Sequence, residues 1–180
     1  MDPVEDIGGA MNRPPTVFAI SIGVLLLCSC HPEQRTIPAG SSEVISAYLV
    51  ERVGEASFGG QVFCAYEPLA DSREVGGHVD VYLWVLCQEY YLSGQALEAG
   101  TGSSLPIALS LEANGDTYAI VEHRIPGEIS LTEELVRAYF PHSAWRTIMP
   151  ESQQEVITHN ARAERLEALA RERALATFGQ

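Results

Sequence analysis

The chain has 180 residues, 46% of them apolar, enough to bury the core of one ordinary domain and too many for a disordered polypeptide. It carries 24 acidic residues against 11 arginines, has no lysine, and reaches a formal net charge of −13. A surface so anionic repels phosphate backbones and acidic headgroups, which argues against nucleic-acid binding and polybasic membrane adhesion and leaves cationic ligands, metal ions or basic partners open.

Residues Thr16 to Leu27 form an apolar run of about a dozen residues, the length of a signal-peptide h-region and short of the roughly 20 that a spanning helix needs. Arg13 is the only positive charge ahead of it. Asp2, Glu5 and Asp6 spoil an n-region, so Met11 makes a better start than Met1. The run ends in Leu27-Cys28-Ser29-Cys30. These residues resemble the lipobox of bacterial lipoproteins, which has a branched aliphatic residue three places before the cut, a small residue just before it and an obligatory cysteine after it. The resemblance implies a signal peptide at 1–29, cleavage after Ser29 and diacylglycerol on the Cys30 sulfur. Two or three acyl chains, each worth about 0.8 kcal/mol per buried CH₂, hold a protein on a bilayer without a spanning helix. The implied address is the extracytoplasmic side of a bacterial membrane. The competing fates are cleavage by ordinary signal peptidase and retention as an uncleaved anchor.

Residues 30–40, with two prolines and little apolar content, read as a tether from lipid to domain. The domain proper, 41–150, opens with a helix: Ser41 and Ser42 can cap it, Val44, Ile45, Tyr48, Leu49 and Val53 recur at helical spacing, and Gly54 stops it. Gln61 to Tyr66 reads as a short strand ending at Pro68. His78 to Leu92 is a longer one, apolar at odd positions and aromatic or aliphatic at most even ones, hence a central strand covered on both faces. Cys64 and Cys87, the two cysteines that remain once Cys28 is removed with the leader and Cys30 is lipidated, sit on these strands. If the strands pair antiparallel with the cysteines opposite, Tyr66 faces Val85 and Val62 faces Glu89, and a disulfide becomes geometrically accessible; two buried free thiols are the alternative.

Asn114-Gly115 predicts a hairpin between Leu105–Glu112 and Asp116–Arg124, with Leu111 opposite Tyr118 and Leu109 opposite Ile120. Ser130-Leu131-Thr132-Glu133 reads as a capping box opening a helix that Pro141 stops. From Glu151 to Gln180 the tail is rich in alanine, arginine and glutamate and predicts a helix, half docked or projecting, on which Ile157, Ala168 and Leu175 share a face. The fold class is α+β, a four-stranded antiparallel meander packed by an N-terminal helix and C-terminal helices.

Chemistry is sparse. His31, His78, His123, His142 and His159 stand too far apart for ligand spacing, so no metal and no cofactor is called. Gly100-Thr101-Gly102-Ser103-Ser104 fits neither a nucleophile elbow nor a phosphate loop and reads as a polar loop entering a strand. Glu89, Glu122 and His123 lie on strands and would be general acids or bases only if a cleft gathered them. Tyr82, Trp84, Tyr90 and Tyr91 offer a stacking surface for a sugar, peptide or apolar ligand if one sheet face is open, and serve as core if a helix covers it. The block Val81–Arg124 resembles a domain of unassigned role in exported bacterial proteins, which implies an extracytoplasmic setting and no activity. The reading is a non-enzymatic binding or accessory module, with the tail helix a candidate protein-binding element. The alternatives are a structural envelope protein without specific ligand and a hydrolase with dispersed catalytic residues.

Overall fold

The computed structural model describes residues 35–127 and 131–179. The leader, Cys30 and the tether up to residue 34 lie outside the described residues, as does Ser130 of the expected capping box.

The architecture is α+β: an antiparallel sheet and four helices among the described residues. The strands are β1 (Gln61–Pro68), β2 (Arg73–Val75), β3 (His78–Ser93), β4 (Ala96–Asn114) and β5 (Thr117–Arg124). Their order is β1-β3-β4-β5, with β2 also paired to β3. There are five strands where four were expected, because the first ribbon is interrupted. Pro68 closes β1 opposite Leu83, the chain leaves the ladder, and β2 resumes it with Arg73 opposite Asp80. Gly76 and Gly77, at φ 59° and 89°, then make a two-residue turn into β3 with positive φ at both positions, the type I′ geometry.

β4 is far longer than the expected Leu105–Glu112. Its first half pairs with the second half of β3, and Gly100 to Ser104 are strand, not loop. The β4–β5 register also differs from the expectation: Leu111 faces Ile120 and Leu109 faces His123, with Val121 bulged out between them. The turn centres on Gly115-Asp116, with glycine (φ 64°) first, instead of on Asn114-Gly115.

Helix α1 (Ser42–Arg52) packs against β1 and β5. Ser41 stands at its N-cap position, but the hydroxyl donates to the Pro38 carbonyl (2.7 Å) and caps nothing. Beneath α1, Ile45 and Leu49 meet Val81, Leu83, Val85, Ile107, Leu109 and Leu111. The opposite sheet face is covered by α2 (Glu133–Tyr139), α3 (His142–Ile148) and α4 (Gln153–Phe178). Thr132 caps α2, its hydroxyl accepting the Leu135 N–H. The full capping box lies at Ser152 and Glu155, where it opens α4.

α4 docks on β1 and β3 through Arg162, Leu166, Ala170 and Ala174, one residue per turn, whereas Ile157 and Leu169 face solvent. Of the residues expected to share a face, Ile157 and Ala168 are exposed and Leu175 packs against the edge of the core. Alanine at 170 and 174 is small enough to let the helix approach the sheet closely. Arg173 donates to the Cys64 carbonyl, and Arg162 and Arg165 both pair with Glu67 of β1, so polar contacts fix the same docking.

Candidate functional site

The Cys64–Cys87 disulfide joins directly opposite residues of β1 and β3, with Tyr66 opposite Val85 and Val62 opposite Glu89. Two residues beyond Cys87 the ladder of β3 with β4 shifts register between Gln88 and Tyr90. A bulge re-aims side chains. Here it places Glu89 where its side chain has no exposed surface at all.

A buried carboxylate needs donors on every side. Glu89 has four, all backbone: Oε1 accepts Phe58 N–H at 2.9 Å and Gly60 N–H at 2.8 Å, and Oε2 accepts Ser57 N–H at 2.9 Å and Thr101 N–H at 3.1 Å. Burial pushes this carboxyl up, but the amides of Ser57, Gly60, Thr101 and Phe58 together outweigh it and hold it at about 2. Glu89 is thus locked as an acceptor, which removes it from general acid–base work near neutral pH. Its neighbour Gln88 completes the arrangement, donating its amide N–H groups to the carbonyls of Glu89, Gly100 and Thr101. The glycines make room. A Cβ on Gly100 would come within 2.5 Å of Glu89 Oε2, and one on Gly60 within 2.3 Å of the Tyr90 carbonyl oxygen.

What this clamp holds out is an aromatic ring. Phe58 is 63% exposed, yet its backbone is fastened to a buried anion. Its ring stacks on Tyr91 (centroids 5.6 Å apart, planes 9° from parallel). Tyr91 lies opposite Glu98 in the β3–β4 ladder, and Glu55 precedes Phe58 in the same loop; both carboxylate-bearing residues are exposed. The result is a preorganised aromatic tip with an acidic rim. Sequence reasoning placed Glu89 on the same side of its strand as Cys87, as a buried carboxylate, but missed the tip that it holds.

The other candidates resolve differently. Tyr82, Trp84 and Tyr90 are buried beneath α2–α4, so the open aromatic face is corrected to core. Phe140 packs on Tyr82, and Trp84 takes the edge of His159 at 4.7 Å and donates its N–H to Ser104. His123 shares a 2.5 Å hydrogen bond with Tyr48. It sits opposite Leu109, and hence level with Val81, eight residues along β3 from Glu89. At about 3.3 Å per residue that is roughly 25 Å, so Glu89, Glu122 and His123 are not brought together. Among the described residues no group of three or more His, Cys, Asp or Glu could hold a metal ion. A buried network the sequence did not reveal links Asp80 to Ser110 (2.6 Å) and Arg124 (3.2 Å) across three strands.

Charge is unevenly divided between the layers. Residues 35–127 hold twelve carboxylates against four arginines, whereas residues 131–179 hold seven against six. The helical layer also carries a surface cleft of about 610 Å³ in which Arg137 lies 4.5 Å above the Trp145 ring. Comparison with known protein families, curated proteins and solved structures returns no match to this chain.

Proposed function

We propose that this chain is a bacterial lipoprotein, anchored by diacylglycerol at Cys30 on the extracytoplasmic side of a membrane, and that it acts as a non-enzymatic binding module. Its docking element is the Phe58–Tyr91 tip, and its partner is a polypeptide bearing arginine or lysine. The observation that carries the reading is the clamp: an exposed phenylalanine whose backbone is bound to a buried carboxylate at Ser57, Phe58 and Gly60. Such preorganisation lowers the ordering cost of association. The acidic rim and the carboxylate excess of the sheet layer favour a basic partner over an anionic bilayer.

The address is supported by the lipobox residues and by the bridged cysteine pair, a bond that persists in oxidising compartments. The point of attachment also fits. Arg35 reaches the Pro68 carbonyl and Thr36 bonds Asp71, so the chain enters the domain at the opposite end of β1 from Gly60. The tip and the entry point are separated by about 25 Å of strand. From Cys30 to Arg35 the backbone spans at most about 18 Å. A tether this short keeps the entry end near the bilayer and leaves the tip free to meet a partner.

A photo-crosslinking residue at position 58, with Val121 as an exposed control on β5, tests the docking role in cells. The proposal expects a discrete, salt-sensitive adduct from position 58 that Glu89→Gln abolishes. Equal adducts from both positions, or none, would contradict it.

A further inference from the structure

Resting on the anchor proposed at Cys30, we infer that one end of the sheet is a contact surface for the bilayer that carries the anchor. That end is made by the β2–β3 and β4–β5 turns, which lie where the chain enters. Arg35 reaches the Pro68 carbonyl, the Ser72 N–H donates to the Thr36 carbonyl (3.4 Å), and a Cβ on Gly40 would stand 3.4 Å from the Asp116 carbonyl oxygen. Residues 35–40 therefore run beside the break between β1 and β2 and on to the β4–β5 turn. Leu83, the partner of Pro68, is six residues beyond Gly77. At about 3.3 Å per residue the β2–β3 turn stands about 20 Å past the level of Pro68. Val79 opposes Leu111, which puts the β4–β5 turn at the same level. The backbone from Cys30 to Arg35 spans at most about 18 Å. With the Phe58 tip directed outward, the tether is too short to hold both turns clear of the surface.

The chemistry of this end fits a shallow apolar contact. Val75 is 47% exposed and leads into Gly76 and Gly77, where an added Cβ would meet nothing within 4 Å. Between the turns is a recess of about 530 Å³ whose walls include Val75, Val79, Ala113 and Tyr118. A tyrosine suits the headgroup level, where its ring is buried and its hydroxyl stays wet. One half-exposed valine would not bind a bilayer from solution. Held by the anchor, the contact becomes intramolecular and gains from a high effective concentration. Asp71, Glu74, Glu112 and Asp116 outnumber Arg35 and Arg73 around the turns, all of them exposed. The surface that fits is therefore zwitterionic and not anionic.

The test uses the lipidated chain reconstituted in phosphatidylcholine vesicles, with an environment-sensitive fluorescent residue in place of Val75, Asn114 or Leu92. Leu92, 44% exposed at the far end of β3, is the matched control. Nitroxide-labelled lipid should quench the probe at Val75 or Asn114 about threefold more than the probe at Leu92. Val75→Asp should remove about half of the quenching at Asn114. Vesicles containing phosphatidylglycerol should lower it as well. Equal quenching at all three sites, stronger quenching on anionic vesicles, or no effect of Val75→Asp would overturn the contact and leave the anchor standing. So would a spectral shift at Val75 that grows with protein density at fixed lipid, which would assign this end to contact between copies of the chain. Mass spectrometry of the same preparation reads the anchor separately: a chain without diacylglycerol on Cys30 would overturn the anchor and the contact with it.

Discussion

The Oε1 atom of Glu89 accepts the amide N–H of Phe58 at 2.9 Å, so the most buried acid of the sheet fixes one of the most exposed aromatic rings. The two residues are 31 positions apart in sequence, and the contact depends on the bulge that sets Gly100 and Thr101 of β4 opposite Glu89 and on glycines at 60 and 100.

Replacing Glu89 with Gln puts a donor where a second acceptor stood and leaves at least one of the four amides unpaired. We expect the unfolding midpoint to fall by about 5–10 °C. Amide exchange at Ser57, Phe58, Gly60 and Thr101 should quicken while that at Leu83 stays slow, as hydrogen-exchange mass spectrometry would report.

The same carboxyl dictates a pH dependence. Its folded-state value of about 2 lies below the ordinary 4.5, so its stabilisation is complete above pH 4.5 and is lost as the pH falls towards 2. Denaturant melts across that window should show a decline that Glu89→Gln flattens. The decline will not vanish, because Glu155, held low by the backbone amides of Glu151 and Ser152, contributes in the same direction.

Gly100→Ala tests the clamp without touching the acid. Its Cβ would lie 2.5 Å from Glu89 Oε2, and the resulting displacement should cost on the order of 1–3 kcal/mol by chemical denaturation. Phe58→Ala should change stability by less than about 0.5 kcal/mol, because the ring is mostly in solvent. A large loss from Phe58→Ala would recast the tip as a structural element.

Removing the disulfide with Cys64→Ala and Cys87→Ala should cost about 3 kcal/mol, given the 23-residue separation it closes. Both cysteines are buried beside α1, so dithiothreitol should reduce the bridge no faster than the domain opens, which thiol labelling over time would show.

The parts legible in the sequence were those set by local pattern. The near-continuous apolar run of β3 announced a strand covered on both faces, and the Cys64–Cys87 spacing was compatible with the register observed. Ser152-Gln153-Gln154-Glu155 was an equally readable capping box that went unused, while α2 is capped at Thr132. The first half of β4 was hidden because Gly100, Gly102 and two serines carry no strand preference; the partner strand, not the local sequence, makes it β. The docking face of α4 was not legible because its buried row includes an arginine. Arg162 belongs there only because Glu67 waits on β1, a pairing 95 residues apart that no local pattern reports.

Lipid attachment at Cys30 is the claim on which compartment, oxidised cysteines and docking geometry all rest. Cells expressing the natural chain or Cys30→Ala, grown with an alkyne-tagged fatty acid, measure it directly. The account predicts label on the natural chain alone, with a mature N-terminus at Cys30 by mass spectrometry. Equal labelling of the two chains, or an unmodified leader still joined to the domain, would contradict it.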